Sequence, residues 1–351
     1  MNPILAKARE HLSKKLPFVM YCKPNADKVI GLFQKTCELF PLSIESSGFA
    51  FVSFDHKLRY MIPESESDIY FQKVSEKDFF LSKEVKEDLS GSGKHDFEML
   101  VESAIAEIAA GTFEKVVLSR KERVASVDFQ FDQLFTKITA AYPTAFRYVF
   151  YHPEIGFWMG ASPEQLMKVE NNLLQTVSLA GTQLYDTDNT SLWGDKEKKE
   201  QQIVTDYIVG CLESFSEQIH VSEPATYVAG KLAHIKTDIS AHIEPEKIEQ
   251  MIAVLHPTPA VCGFPKEKAL QFIVEKEGYD RSFYAGFLGE WNKNFTTYQG
   301  NQFDLYVNLR CMNYQNKELN VYVGCGITRQ SIPELEYQET ANKAMTMKQI
   351  I

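Results

Sequence analysis

The sequence predicts an α+β fold built on antiparallel β-sheets. Apolar residues at helical spacing alternate along the chain with short runs rich in β-branched and aromatic residues. Consecutive strand-like runs are joined by short turns, at His152-Pro153 and Asn171-Asn172, which is how antiparallel neighbours connect. At 351 residues and 44% hydrophobic composition, the chain can bury a substantial core.

The first region, residues 1–95, has irregular apolar patterning. It ends in the polar run LSKEVKEDLSGSGKHD, Leu81 to Asp96, read as a loop, or a helix followed by a linker. From Phe97 the periodicity is cleaner. Phe97, Leu100, Val101, Ala104, Ile105 and Ile108 form a helical stripe closed by Gly111. KVVLSR follows as a short buried strand, and a helix is expected from about Phe131 to Ala141, before Pro143. AFRYVFY, IGFWMGA, QLMKV and LQTVSLAG read as strands. A long polar helix is expected over Asp195 to Gln218, with Ile203, Tyr207, Cys211 and Phe215 every four residues. Further helices are expected at Glu246 to Leu255 and Lys266 to Glu277. SFYAGFLGEW, FDLYVNLRCM and ELNVYVGCGI read as strands, and a last helix begins near Pro333, which suits a first-turn position.

Composition excludes several functions. The net charge of −10 argues against a nucleic-acid partner recruited by bulk charge, because phosphate binding needs clustered cations. No stretch approaches the roughly 20 apolar residues of a membrane span. The six cysteines are scattered, without a CxxC pair or zinc spacing. With an N-terminus that lacks the apolar core of a signal peptide, this predicts a soluble cytoplasmic protein.

Several residues invite a chemical reading. Lys115 stands at the mouth of the KVVLSR strand, either as a solvated strand end or as a base. Glu336, Glu339 and Lys343 share one face of the last helix, at i, i+3 and i+7. They form either a solvated face with a Glu–Lys pair, or two oxygen ligands for Mg²⁺ beside a lysine that meets an anionic substrate. Ala180-Gly181-Thr182 ends a strand with backbone amides and a hydroxyl able to cradle a carboxylate, and Gly324 and Gly326 offer something similar, although glycines also mark bulges. Glu164 follows Ser162-Pro163. His256, in a loop dense in Pro and Gly, is either polar scaffolding or substrate-facing. Arg310 ends YVNLR, as a bidentate carboxylate clamp or as half of a structural ion pair.

Taken together, KVVLSR, GASPEQL, SLAGT, LHPTPAVCGFP, DRSFYAGFLGEW, VNLR, VGCGI and PELEYQETANK occur in the order and spacing of the chorismate-utilising enzymes. The chain resembles that family, which includes anthranilate synthase component I, over roughly residues 97 to 351. The N-terminal part resembles it only weakly. The resemblance implies two packed antiparallel sheets flanked by helices, with the active site between them. It also implies a catalytic region over residues 96–351 and an N-terminal part, residues 1–95, of the same fold, together one structural domain.

The members most closely resembled are isochorismate synthases of the menaquinone or siderophore type. Water-adding members carry a lysine where Lys115 stands. By resemblance Lys115 is the base toward water attacking C2 of chorismate, a role that requires its neutral form. Glu164 is the acid that protonates the departing C4 hydroxyl, which calls for a raised carboxyl pKa. Mg²⁺ is the implied cofactor, held by Glu200 and Glu339 with Glu336 close by, directly or through a water. Arg310, Lys343, Gly181, Thr182 and the backbone near Gly326 are implied to hold the substrate carboxylates, with His234 near the substrate. The family often has Glu-His where this chain has Glu200-Gln201, Glu-Arg where it has Asp280-Arg281, and Gly-Ala-Gly where it has Gly324-Cys325-Gly326. A salicylate synthase, which goes on to eliminate pyruvate, shares Lys115; Pro259-Ala260 favours the isochorismate synthase. An ammonia-using synthase and a non-catalytic binding relative stand further off. No amidotransferase subunit is expected, and a monomer is implied.

Overall fold

The structure, a computed structural model, describes residues 3–74, 93–125, 128–184, 193–229 and 232–351. Most of the polar run Leu81 to Asp96 lies outside the described residues; from Lys94 its end already belongs to a helix, Lys94–Ala109.

Two antiparallel sheets carry the fold. Among the described residues the first has nine strands. Its order is Gly263–Phe264, Lys115–Ala125, Glu318–Ile327, Cys311–Gln315, Gly156–Ser162, Phe146–His152, Phe18–Cys22, Lys28–Gln34 and Ser67–Lys73. The second runs Ile219–Val221, Leu232–His242, Leu173–Leu184, Gln165–Glu170, Phe303–Val307, Phe287–Trp291, Gly48–Val52, Arg59–Pro63 and Phe40–Pro41, with Ala225–Ala229 also paired to Leu232–His242. The irregular N-terminal region thus supplies strands to both sheets. Its patterning hides this in part because Phe18–Cys22 and Gly48–Val52 are buried on both faces and do not alternate.

Two apolar layers result. Val19, Tyr21, Phe146, Tyr148 and Phe150 face Phe49, Phe51, Leu305 and Phe287 in the layer between the sheets. Phe51 stacks on Phe150 with ring centres 4.3 Å apart, and Phe146 on Tyr306 at the same distance. The alternate residues, Phe18, Met20, Val149 and Tyr151, turn to the outer face of the first sheet. Helices Pro3–Ser13, Phe131–Ala141 and Pro333–Lys348 cover that face with Ile4, Ala8, Leu134, Ile138, Ala344 and Met347.

Expected helices form close to their expected bounds, at Phe131–Ala141, Asp195–Glu213, Ile248–Leu255, Lys266–Lys276 and Pro333–Lys348. Two expected strands are broken. In SFYAGFLGEW only Phe287–Trp291 is extended, because Ser282 and Ala285 take positive φ, 51° and 58°. FDLYVNLRCM divides into Phe303–Val307 and Cys311–Gln315, with Arg310 at φ 47° between them. Leu232–His242 is a long strand that the periodicity did not announce. Among the described residues no helix is long and apolar enough to cross a membrane.

Candidate active site

One end of the layered sheets opens into a cavity of about 150 Å³, room for a single small ring. Both sheets contribute to its walls. Lys115 and Val117 come from one strand of the first sheet, and Gly324, Cys325 and Gly326 from its neighbour. Ala180, Gly181 and His234 come from the second sheet. Helix Asp195–Glu213 adds Glu197 and Glu200, and helix Pro333–Lys348 adds Glu339 and Lys343.

Lys115 is not a solvated strand end. It is 1% exposed, and its Nζ donates to Glu200 Oε1 at 2.8 Å. The contact depends on a glycine opposite. A Cβ at Gly326 would lie 2.7 Å from Glu200 Oε1 and 3.0 Å from Lys115 Cε, so a side chain there would push the pair apart. Gly181 also has a local cause: it sits at φ 72°, in a β-bulge where the register with Leu232–His242 shifts between Ala180 and Thr182. Its carbonyl accepts a hydrogen bond from His234 Nδ1 at 3.1 Å. Burial lowers the pKa of His234, and Lys343 and Arg310 lower it further, so the ring is neutral near pH 7. Thr182 pairs with His234 in backbone register; its side chain lies outside the described residues.

Glu164 precedes strand Gln165–Glu170 and lines the cavity. Its carbonyl accepts from Val307 N at 3.0 Å, which fixes the backbone. Its side chain is half-buried, but the protein packed around the carboxyl desolvates it and raises its pKa to about 7. The charges of Lys115, Arg310 and Lys343 oppose that rise without cancelling it.

Arg310 owes its aim to its left-handed backbone, which ends one strand and turns the side chain to the cavity wall. Among the described residues its guanidinium makes no hydrogen bond or ion pair, so the structural ion pair does not form. Burial opposes its charge, while Tyr284, Glu339 and Glu164 support it. Lys343 Nζ is shared between Glu339 Oε1 at 2.6 Å and the Gly324 carbonyl at 2.9 Å.

The remaining expectations divide. Glu339 lines the cavity; Glu336, on the same helix, is 4% exposed and lies outside the lining, against Cys325. Of the three residues on this helix face, Glu339 and Lys343 line the cavity and Glu336 does not. His256 is scaffolding: it is buried, takes a hydrogen bond from His56 at 2.6 Å and donates to the Ala285 carbonyl at 2.9 Å. Gln201 is buried away from the cavity, its amide donating to Thr205 and Thr237 at 2.8 Å each. Glu197 and Tyr284 line the cavity and were missed. Glu197 stands three residues before Glu200, the spacing that drew attention to Glu336 and Glu339; Tyr284 carries no spacing signal.

Glu197, Glu200 and Glu339 offer oxygen donors only, the chemistry of a hard divalent cation. Among the described residues no group of three or more His, Cys, Asp or Glu is placed to hold a metal ion by itself.

The model of the chorismate binding enzyme family matches residues 53–351. The chain belongs to that family. This chorismate binding enzyme is 30% identical to the isochorismate synthase EntC of Escherichia coli over 263 residues, covering 72% of this chain and 66% of that protein. It is also 30% identical to the salicylate biosynthesis isochorismate synthase of Pseudomonas aeruginosa, covering 75% of this chain and 56% of that one. The alignments therefore span somewhat less than two thirds of these relatives. The fold matches the solved structure of MenF, the menaquinone-specific isochorismate synthase of Escherichia coli, with a TM-score of 0.77 and 21% identity over 95% of this chain and 88% of that one.

Proposed function

We propose that this protein is an isochorismate synthase, an isomerase that adds water at C2 of chorismate as the C4 hydroxyl leaves. The observation that carries the proposal is the pairing of Lys115 and Glu164 in one small cavity, with Glu164 raised to about 7 by desolvation. A carboxyl of that kind still holds a proton near neutral pH and can give it up to a leaving group.

In this reading Lys115 acts as base toward the water that attacks C2, a role for which it must first give up a proton. Glu164 gives its proton to the C4 oxygen, which departs as water when the ring double bonds shift. The proton count balances: one proton enters Lys115 and one leaves Glu164. Arg310 offers a guanidinium fork, unpaired among the described residues, to a substrate carboxylate, and Lys343 adds a second cation. Gly181, Thr182, Gly326 and neutral His234 shape and orient the substrate. We propose Mg²⁺ held by Glu200 and Glu339. When bound it would neutralise the ring carboxylate and compete with the Lys115 ammonium for Glu200. The protein acts as a monomer in the cytoplasm, as one structural domain and without an amidotransferase subunit.

The test is incubation of the purified protein with chorismate and Mg²⁺, without ammonia, and chromatography of the products. Isochorismate without pyruvate is the expected outcome. Salicylate with pyruvate would move the protein to the lyase reading, and unchanged chorismate would sink both.

A further inference from the structure

The strand that begins with Lys115 has an incomplete edge. On one side it pairs with Glu318–Ile327 over ten positions; on the other, among the described residues, only Gly263 and Phe264 pair with it, opposite Val116 and Lys115. Beyond them the Val117 carbonyl and the Ser119 amide would face a dry interior without a sheet partner, and each such group costs about 1–3 kcal/mol.

An ion pair supplies the partners. Arg281 and Glu277, 3% and 0% exposed at their side chains, lie side by side, joined through Arg281 Nε and Nη2. Arg281 Nη2 also donates to the Val117 carbonyl at 2.6 Å, and Nη1 to the Val261 carbonyl at 3.0 Å. Glu277 Oε1 accepts the Ser119 amide at 2.7 Å, and Oε2 accepts the Ser119 hydroxyl at 2.9 Å. Tyr279 closes the group, with its hydroxyl 2.6 Å from Ser119 Oγ. Burial alone would discourage the charge on Arg281, but Glu277 more than compensates.

We infer that the Arg281–Glu277 pair is a positioning device that holds the Lys115 strand in register against the cavity, an inference that rests on the reading of Lys115 as the base. The contacts fall two and four residues past Lys115. In a strand that places Lys115, Val117 and Ser119 on one face. A slip of one residue would turn that whole face over and take Lys115 out of the cavity. The same guanidinium holds Val261, which also lines the cavity, so the strand and the loop are fixed to each other. Neither residue touches the cavity itself. A buried ion pair is rarely the most stabilising choice, and its best-attested use is to specify register.

The test uses three variants of the full chain, each assayed on chorismate with Mg²⁺ and followed by amide hydrogen exchange over residues 115–121. Arg281→Lys cannot reproduce the forked contact. Its kcat should fall by about 100-fold, the cost of a misplacement of about 1 Å, with KM for chorismate changed by less than about twofold. Ser119→Ala removes only the hydroxyl contacts and keeps the fold; its kcat should fall by about tenfold at the same KM. Glu277→Gln should lie between them. Exchange over 115–121 should quicken in all three. A purely structural role would lower the amount of folded enzyme and leave kcat per folded molecule unchanged, and that result would overturn the inference. If the wild type does not turn over chorismate, the proposed function fails, and exchange alone then decides: unchanged protection in Ser119→Ala and Arg281→Lys would overturn the clasp.

Discussion

Replacing Glu164 by glutamine separates its chemistry from its packing. The folded site holds the carboxyl proton to about pH 7, against 4.5 for an ordinary glutamate, and desolvation is the main cause. The sign follows from proton linkage. In the unfolded chain the group ionises as pH rises through 4.5; in the folded protein it stays protonated until about 7. Between those values the folded state binds more protons, so stability falls as pH rises, and above about 7 the penalty is fully present. At 1.36 kcal/mol per tenfold it amounts to roughly 3 kcal/mol, an upper figure because the cavity admits water. Glutamine carries no such penalty. Urea unfolding should show Glu164→Gln matching the wild type near pH 4.5 and exceeding it by up to roughly 3 kcal/mol at pH 8. Activity should move the other way. Wild-type kcat/KM should decline above pH 7, with about one tenth of the acid form left at pH 8, and the variant should lose about 10²–10⁴-fold without that limb. Equal stability at both pH values would refute the raised pKa. A variant whose pH–rate profile copied the wild type would remove Glu164 from the role of acid.

Lys115→Gln should abolish water addition, by about 10²–10⁴-fold, while near-ultraviolet dichroism stays native; retained turnover would remove Lys115 as the base. Chelation with EDTA should silence the enzyme and added Mg²⁺ should restore it, and turnover that persists in EDTA would contradict Glu200 and Glu339 as ligands. Lys23→Met should destabilise the protein by about 3–5 kcal/mol in urea, because Lys23 joins buried Glu290 at 2.6 Å to Asp304 at 3.0 Å. A loss below about 1 kcal/mol would show that those acids are satisfied without it.

The sequence by itself determined the helices and most of the strands from Phe97 onward. Their cause is local: a 3.6-residue or two-residue apolar period reports the face that each element buries. It also picked out Lys115, Glu164, Glu339, Arg310 and Lys343 through motifs and helical spacing, and Glu200 through the family resemblance. It did not reveal the N-terminal strands, because residues such as Phe18 to Cys22 are buried on both faces and leave no alternation to read. Only the tertiary structure decided which side chains meet. Glu336 and Glu339 share a helix face, yet only Glu339 lines the cavity, because Cys325 and the sheet beneath take up Glu336. Arg310 reaches the cavity through a left-handed residue that reads as mid-strand in FDLYVNLRCM. The contact of Lys115 with Glu200 joins residues 85 positions apart in number, by the arithmetic 200 − 115, and needs an empty Cβ position at Gly326. Local pattern fixes what each segment buries, whereas long-range packing sets the distances, the desolvation and therefore the chemistry.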